Sequence, residues 1–439
     1  MFCSDARVSG EKSFAGAEEP GAFCPRAFAA LHYCLATGLL LAAAPAAHAQ
    51  ERPPEPPRPE QSEQAEKPQT AGRARPIGQG ADQGLRVDTS LSVVYDDNVY
   101  RVDSHAENPV DDLIVTPTVE VSYNRDVGPR SFRLRGLLGY DQFVSETARS
   151  KPRIELEGTG RFLIAGTCAV APQASYREQR ADYGDINSRA ENLQRYSTLG
   201  VSADCERPGF YPVAAWRRDT TRNGDGFEYA DQTSNLYRAG LGFSLPSLGK
   251  VTWYYEHFDS DRPELVVTNR GDSVGIAYDR SVSPLTTINA DLRWMRVRSS
   301  APAIADYNGP GWTLRVTNTA IPRVKLSAST ERTIVNDSLI ATGFAVRTAH
   351  RLSAELGLSE LTSITAYADF SRRQFRQDAA IRPFNYTRDR TNQFGLIAQR
   401  KFTDRFAADL SVSRIDRSTN SDVSNYRATQ VALGATMRF

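Results

Sequence analysis

The sequence predicts an all-β fold: a single closed, antiparallel, up-and-down transmembrane barrel of about 18 strands. Apolar and polar residues alternate with a period of two, in segments that recur roughly every 20 residues. Short and long connections alternate between these segments. The chain also ends inside such a segment, on Phe439, so the last strand is predicted to close the barrel.

The composition agrees with this fold class. Hydrophobic residues make up 40% of the chain, which is below the usual globular share. In the body of the chain no apolar run reaches the roughly 18 residues that a membrane helix needs. A barrel strand contacts lipid with only half of its residues, so low hydropathy together with 18 Tyr and 19 Phe is typical of a membrane barrel. A net charge of +1 gives no support to a nucleic-acid partner.

Residues 1–49 have the features of an export signal. Arg26 precedes an apolar core at 39–44, and Ala47-His48-Ala49 has the small-x-small pattern of a cleavage site. We therefore predict a signal peptide that is cleaved after Ala49, and an uncleaved membrane anchor is the alternative. The charged stretch before Arg26 fits a signal poorly, so the true start of the protein is expected downstream of the first residue.

Residues 50–84 differ from the rest of the chain. They begin QERPPEPPRPE, are rich in Pro, Gln and Glu, and have no apolar periodicity. Such a composition predicts a disordered periplasmic leader. Two interpretations stay open: a plain solvated segment, or a tether that docks a partner. The barrel itself is predicted over 85–439.

The alternation predicts the strands one by one. They cover 85–96, 113–125, 131–144, 153–165, 168–178, 196–204, 210–218, 235–245, 250–258, 272–280, 286–298, 312–320, 324–334, 344–356, 363–375, 392–402, 405–415 and 426–439. An even number of strands places both ends of the barrel on the side of the short turns, which is the periplasm in outer-membrane barrels.

Each strand is predicted to have one lipid face and one water face. In 286–298, Ile288 and Leu292 alternate with Asn289 and Asp291. A soluble sandwich would show the same alternation, but the export signal, the connection lengths and the terminal Phe439 favour a membrane barrel. Aromatic residues near strand ends suit interface girdles, although strands are rich in aromatic residues anyway: Tyr95, Tyr123, Tyr140, Trp216, Trp253, Trp294, Trp312 and Phe402.

The last strand carries an apolar series that ends the chain. Val431, Leu433, Met437 and Phe439 lie on one face of it. This pattern resembles the signal that the barrel assembly machinery of the outer membrane reads. We therefore predict outer-membrane lipid and that machinery as partners.

The stretch SLSVVYDDNVYR is a first strand that breaks into an Asp-Asp-Asn loop. It resembles the start of an outer-membrane β-barrel porin family found beside exopolysaccharide gene clusters. By layout, the resemblance covers 85–439. It implies an outer-membrane barrel linked to polysaccharide export, with components of that export system as partners.

Many charged residues fall on the predicted water face. Such charges are costly against lipid, but facing water they can pair across strands or set the ion preference of a pore. An arginine-rich lining would favour anionic solutes, including acidic saccharides, whereas a structural ladder of ion pairs is the equal alternative. The predicted lumen positions are Arg133, Arg135, Asp141, Glu155, Glu157, Arg161, Arg217, Arg238, Asp291, Arg293, Arg315, Lys325, Arg347, Asp369, Asp409 and Arg438.

Catalysis and metal binding have little support in the sequence. After cleavage the remaining histidines are His105, His257 and His350, and none has the spacing of a metal motif. We predict no enzyme activity, no cofactor and no metal. The carboxylates and amide at 96–98 and 103 could ligate calcium, but turn chemistry explains Asp and Asn there more simply.

Cys168 and Cys205 are the two cysteines left after cleavage. Each lies at a short turn, and a single predicted hairpin joins the two turns, which makes them neighbours. The periplasm is oxidising, so a disulfide is predicted between them. Two unpaired small residues are the alternative.

Two functions follow from these features. The first is a channel, porin-like, that passes or helps to export saccharides or other polar solutes. The second is a non-conducting scaffold or binding barrel in an exopolysaccharide secretion assembly.

Overall fold

The computed structural model describes residues 83–103, 108–128, 130–180, 192–205, 207–224, 226–335, 343–376, 387–420 and 425–439. The predicted signal peptide and nearly all of the predicted leader lie outside these ranges. The described residues form one 18-stranded antiparallel sheet that closes on itself, which confirms the predicted fold class. Within them, no helix is long and apolar enough to cross a membrane.

The strands follow one another around the barrel in chain order. They are β1 (Gly84–Asp96), β2 (Asp112–Val127), β3 (Arg130–Phe143), β4 (Lys151–Ala165), β5 (Cys168–Arg180), β6 (Leu193–Cys205), β7 (Gly209–Arg222), β8 (Gln232–Leu245), β9 (Gly249–Arg262), β10 (Val267–Ser283), β11 (Thr286–Ser299), β12 (Tyr307–Asn318), β13 (Val324–Val335), β14 (Phe344–Gly357), β15 (Thr362–Arg376), β16 (Arg388–Lys401), β17 (Phe406–Thr419) and β18 (Tyr426–Arg438).

The first and last strands close the sheet. β18 pairs antiparallel with β1, from Asp88 opposite Arg438 to Asp96 opposite Gln430. The amide of Phe439 donates a further hydrogen bond, of 2.9 Å, to a carbonyl oxygen of the residue before Asp88. Every strand therefore has a partner on both sides, and the sheet has no free edge.

The two ends of the barrel differ in their connections. At the turn end lie the short turns, the start of β1 and the end of β18. In the turn between β4 and β5, Gly166 has a φ of 57°, a conformation that glycine adopts without a Cβ penalty. At the loop end lie the longer connections, including three short 3₁₀ helices at Thr147–Arg149, Glu228–Ala230 and Pro263–Leu265.

The two faces of the sheet differ in exposure. In β18, Val431 and Leu433 are exposed, whereas Ala432 between them is buried. Residues that oppose each other in register share a face, so this assignment extends around the barrel. The buried series is the inner face, because Lys250 of β9 contacts Asp204 of β6 at 2.9 Å, and only a concave surface allows that contact across two intervening strands.

Several strands extend further at the loop end than the sequence predicts. β7 reaches Arg222 instead of 218, β9 reaches Arg262 instead of 258, and β10 begins at Val267 instead of 272. Beyond the apolar band both faces carry polar residues. The alternation that marks a strand therefore fades, while the hydrogen-bonded ladder continues.

Candidate channel interior

The register places all the predicted lumen positions on the inner face. The assignment follows strand by strand: Arg135 opposes Glu157 on β3 and β4, and Arg438 opposes Asp88 on β18 and β1. Side chains of both signs lie on this wall, mostly as neighbours of opposite sign, although Arg347 opposes Arg373 on β14 and β15. The structure therefore brings the predicted charges together as neighbours on one surface.

Glu155 is the centre of the charge cluster on β2–β5. Its side chain is buried, and Arg135 lies between it and Glu120, at 3.3 Å and 2.9 Å respectively. Arg153 and Arg177 approach Glu155 from two further directions, at 3.3 Å and 3.8 Å. Three guanidinium groups around one buried carboxylate offset the desolvation of its charge.

A tyrosine network occupies the inner face of β8–β11. The Tyr254 hydroxyl is 2.7 Å from each carboxylate oxygen of Asp291, and the Arg238 guanidinium lies 4.2 Å from the centre of the Tyr254 ring. Arg238 also pairs with Glu256 at 2.6 Å. Gly275 leaves room for the ring, because a Cβ there would lie 2.6 Å from Tyr254 atoms. Aromatic and ionic contacts thus hold these side chains together.

At the turn end, Asp204 joins charges from distant strands. It accepts a hydrogen bond of 2.9 Å from Lys250 of β9, and Arg161 of β4 lies 3.8 Å away. The Lys250 ammonium is also 5.6 Å from the centre of the Tyr211 ring. These contacts connect β4, β6, β7 and β9 across the inner face.

The residue that follows Asp204 forms a disulfide. Cys205 is bonded to Cys168 with an S–S distance of 2.07 Å, and the two residues oppose each other in the register of β5 and β6. The structure thus pairs the two cysteines between which the disulfide is predicted. The disulfide therefore links β5 and β6 next to the contacts of Asp204.

At the loop end, Asp389 lies between two arginines. Its side chain is 2% exposed and accepts hydrogen bonds from Arg373 of β15, at 2.5 Å, and from Arg417 of β17, at 2.8 Å. Arg417 is 1% exposed. The alternation in the sequence does not reveal Asp389 and Arg417, because it predicts strand sixteen to begin at 392 and strand seventeen to end at 415.

An apolar cluster lies at the loop end of β10–β14. It consists of Val267, Met295, Val297, Ile304, Tyr307, Phe344 and Val346, all buried. Asn269 of β10 donates its side-chain amide to the carbonyl of Gly343, 3.2 Å away and directly before β14. Three strands separate β10 from β14 in the sheet, so this hydrogen bond links non-adjacent parts of the barrel wall at the loop end.

The first loop is built around Asp96. Its carboxylate receives two hydrogen bonds from the Arg101 guanidinium, at 2.8 Å and 2.7 Å, and one from Gln430 at 2.7 Å. Asp97 accepts the amide of Thr429 at 2.6 Å. These contacts favour the turn interpretation over calcium. No group of acidic, His or Cys side chains suited to a metal occurs among the described residues.

A second loop packs on the first. The Arg149 guanidinium, 1% exposed, lies 4.4 Å from the centre of the Tyr100 ring and 5.2 Å from that of Phe143. A hydrogen bond to Glu146 raises the pKa of the Tyr100 hydroxyl, and burial lowers the pKa of the Arg149 guanidinium. Both loops are therefore joined at this end of the barrel.

The outer face is predominantly apolar. Leu292, Trp294, Leu410, Val412 and Leu433 have exposed fractions between 43% and 59%. In a soluble protein so many large exposed apolar side chains would be an aggregation liability, whereas a lipid environment accommodates them.

An exposed ionic group interrupts this apolar surface near the loop end of β9 and β10. His257 Nδ1 and the Tyr255 hydroxyl both contact Asp272 Oδ1, at 2.9 Å and 2.5 Å. A histidine and a carboxylate are two parts of a nucleophilic triad, but the third member here is a phenol. The group is suited to anchoring in a polar interface.

No protein-family model matches the sequence, and no curated protein is significantly similar to it. The fold is similar to solved structures of low identity. OccK2 (OpdF) of Pseudomonas aeruginosa has a TM-score of 0.45 and 10% identity, over 81% of this chain and 100% of that one. A BenF-like porin of Pseudomonas fluorescens Pf-5 has a TM-score of 0.45 and 9% identity, over 82% and 100%. OccAB2 of Acinetobacter baumannii has a TM-score of 0.44 and 12% identity, over 82% and 100%. A likeness at these values does not extend to function.

Proposed function

We propose that this protein is an outer-membrane channel for polar solutes, among them saccharides. The proposal rests on one observation: the closed sheet has an apolar, exposed outer face and a charged inner face. Charged side chains on the inner face are stable there only if water reaches them or they pair with one another. A lipid-facing exterior around a polar interior is the arrangement of a membrane pore.

The inner charges support passage of polar solutes without a strong preference for one sign. Arg351 and Asp369, at 3.2 Å, and Arg217 and Asp219, at 2.9 Å, are neighbours of opposite sign on the wall. Such pairs leave a polar surface whose local fields largely cancel. A link to exopolysaccharide export rests on the resemblance of SLSVVYDDNVYR and belongs to the same proposal.

A specific observation favours a second candidate, a non-conducting scaffold barrel. Asn269 of β10 contacts Gly343, directly before β14, so parts of the wall that are not adjacent in the sheet meet at the loop end. If such contacts close the lumen, function would reside in the loops or in a bound partner.

Conductance of the refolded barrel in planar bilayers distinguishes these candidates. We expect steady channels in the wild type, and a shift of selectivity towards cations in the double variant Arg293→Glu and Arg315→Glu, because two positive charges of the wall become negative. The matched control is Arg280→Glu with Arg400→Glu, which changes the same charges on the outer face at the turn end. Inserted wild-type barrels that carry no current would support the scaffold and contradict the channel.

A further inference from the structure

The outer face of β15–β18 carries six arginines at the loop end. Arg376 and Arg388 lie furthest toward the loops. The other four, which we name the arginine patch, are Arg372, Arg390, Arg414 and Arg427. Arg372 and Arg390 directly oppose each other in the register of β15 and β16. Like charges at directly opposite positions destabilise a sheet unless something neutralises them. An anion beside this pair would remove that repulsion.

Few carboxylates face the patch. On the outward positions of β15–β18, all of which the structure describes, the one carboxylate is Asp416, 3.2 Å from Arg427. Arg390 donates to the amide oxygen of Asn392 at 3.1 Å, which leaves its charge uncompensated. Arg372 and Arg414 are likewise exposed. The patch therefore has an excess of positive charge, in contrast to the paired charges inside the barrel.

The patch borders directly on an apolar surface. Arg414 opposes Phe394 in register, and the rings of Phe394 and Phe370 are in edge-to-face contact at 5.4 Å. Leu396 and Val412, both exposed, continue this surface toward the turn end. The cationic groups at the loop end match the headgroup of an acidic lipid, and the apolar groups toward the turn end match its acyl chains.

Opposed arginines also occur elsewhere on the outer face at the loop end, but there they have carboxylate partners. Arg195 and Arg222 oppose each other in the register of β6 and β7. Arg195 pairs with Glu178 at 2.9 Å, and Arg222 pairs with Asp231 at 3.0 Å. The arginine patch differs from this pair in its shortage of carboxylates, and not in the presence of arginines alone.

We propose that the arginine patch binds the phosphate groups of a phosphorylated lipid in the leaflet around the loop end. This inference rests on the proposed location of the barrel in a membrane. Arginine recognises phosphate through paired, charge-assisted hydrogen bonds, and it is more weakly hydrated than lysine. The acyl chains of the same lipid lie along Phe394, Leu396 and Val412, while its phosphates neutralise the opposed Arg372 and Arg390.

Native mass spectrometry of the folded barrel tests the proposal, with diphosphorylated lipid A and its dephosphorylated form as probes in detergent micelles. We expect wild-type protein to bind the phosphorylated probe at least about tenfold more tightly than the dephosphorylated one. The triple variant Arg372→Gln, Arg390→Gln and Arg414→Gln should lose this preference. The control is Arg125→Gln, Arg280→Gln and Arg400→Gln, which removes three outward arginines at the turn end and should keep it.

Equal binding of lipid A by the wild type and the triple variant would overturn the lipid site. So would equal binding of the two probes by the wild type. If the triple variant does not fold, the single variants Arg372→Gln and Arg414→Gln replace it, each with an expected loss of about threefold. Insertion into vesicles is measured in parallel. Failure to insert contradicts the proposed function, whereas insertion without a phosphate preference contradicts only this inference.

Discussion

Arginines on the inner and the outer face of β15–β17 are neighbours in sequence but have opposite surroundings. Arg373 points inward and binds the buried Asp389, whereas Arg372 points outward and is exposed. Asp389 itself is followed by the outward Arg390. Arg372 and Arg373 are consecutive and lie at the same height of the barrel. Arg373 belongs to a compact ionic cluster on the inner face, whereas Arg372 lies at the edge of the apolar outer surface.

The side of the sheet, and not the residue type, therefore decides what an arginine does. Inside, a buried arginine needs a carboxylate, because desolvation would otherwise exceed what its contacts contribute. Outside, at the edge of the apolar surface, an arginine keeps contact with water and can bind an anion from the solvent or the lipid.

The largest expected effect comes from removing the inner carboxylate. Asp389→Asn leaves Arg373 and Arg417 without their shared partner, so we expect a loss of roughly 3–5 kcal/mol in the free energy of unfolding. Urea titration of the barrel in detergent, followed by heat-modifiable gel mobility, measures it. The matched control is Asp416→Asn on the outer face, where an exposed pair contributes about 0–1 kcal/mol. Equal losses in both variants would contradict the comparison.

The second largest effect on stability is expected from removing the disulfide at the turn end. The disulfide between Cys168 and Cys205 closes a sequence separation of 37 residues. In the chain-entropy model such a closure restricts the unfolded state by roughly 3–4 kcal/mol. We expect the double variant Cys168→Ser and Cys205→Ser to lose about that much in urea titration.

Reduction of the wild-type protein provides the control for this prediction. It should produce the same loss as the double serine variant, and reductant should not change the stability of that variant. Free thiols at both positions in protein purified from the cell envelope would show that the pairing does not form in vivo.

A charge placed in the middle of the outer face tests the lipid assignment. Val412 lies halfway along β17 and is 44% exposed. Val412→Arg should cost roughly 2–4 kcal/mol in equilibrium folding into lipid vesicles, whereas Ser418→Arg, on the same face at the loop end, should cost about 0–1 kcal/mol. The same small cost at both positions would mean that this face does not contact hydrocarbon.

The smallest effect on stability is expected at the C-terminus. Phe439 is 68% exposed, so its deletion should change the free energy of unfolding of the refolded barrel by less than about 1 kcal/mol. As an assembly signal, however, it should matter in cells, where its deletion is expected to lower the folded yield several-fold relative to synthesis.

Arg438→Ala is the control for the terminal deletion. It removes the contact of Arg438 with Asp88, 3.4 Å away, but keeps the terminal aromatic residue. We expect it to lower stability and to leave the folded yield in cells higher than the deletion does. A normal folded yield without Phe439 would contradict the predicted signal.

The number of strands, their order and the face of each residue could be predicted from the sequence, because alternation has a period of two and requires only local information. The inward direction of Arg293 and the outward direction of Leu292 follow from that period alone. The apolar series that ends on Phe439 likewise indicated that the last strand closes the sheet.

Contacts between side chains of strands that are not adjacent were decided only by the tertiary structure. The curvature and strand register of the barrel bring Lys250 to Asp204, and the extension of strands beyond the apolar band brings Arg417 to Asp389. The polarity pattern cannot report either feature, because it fades where both faces meet water. The placement of Arg372 opposite Arg390 is of the same kind: each residue has a predictable face, but the register that opposes them depends on the length of the loop and the pairing of the whole sheet.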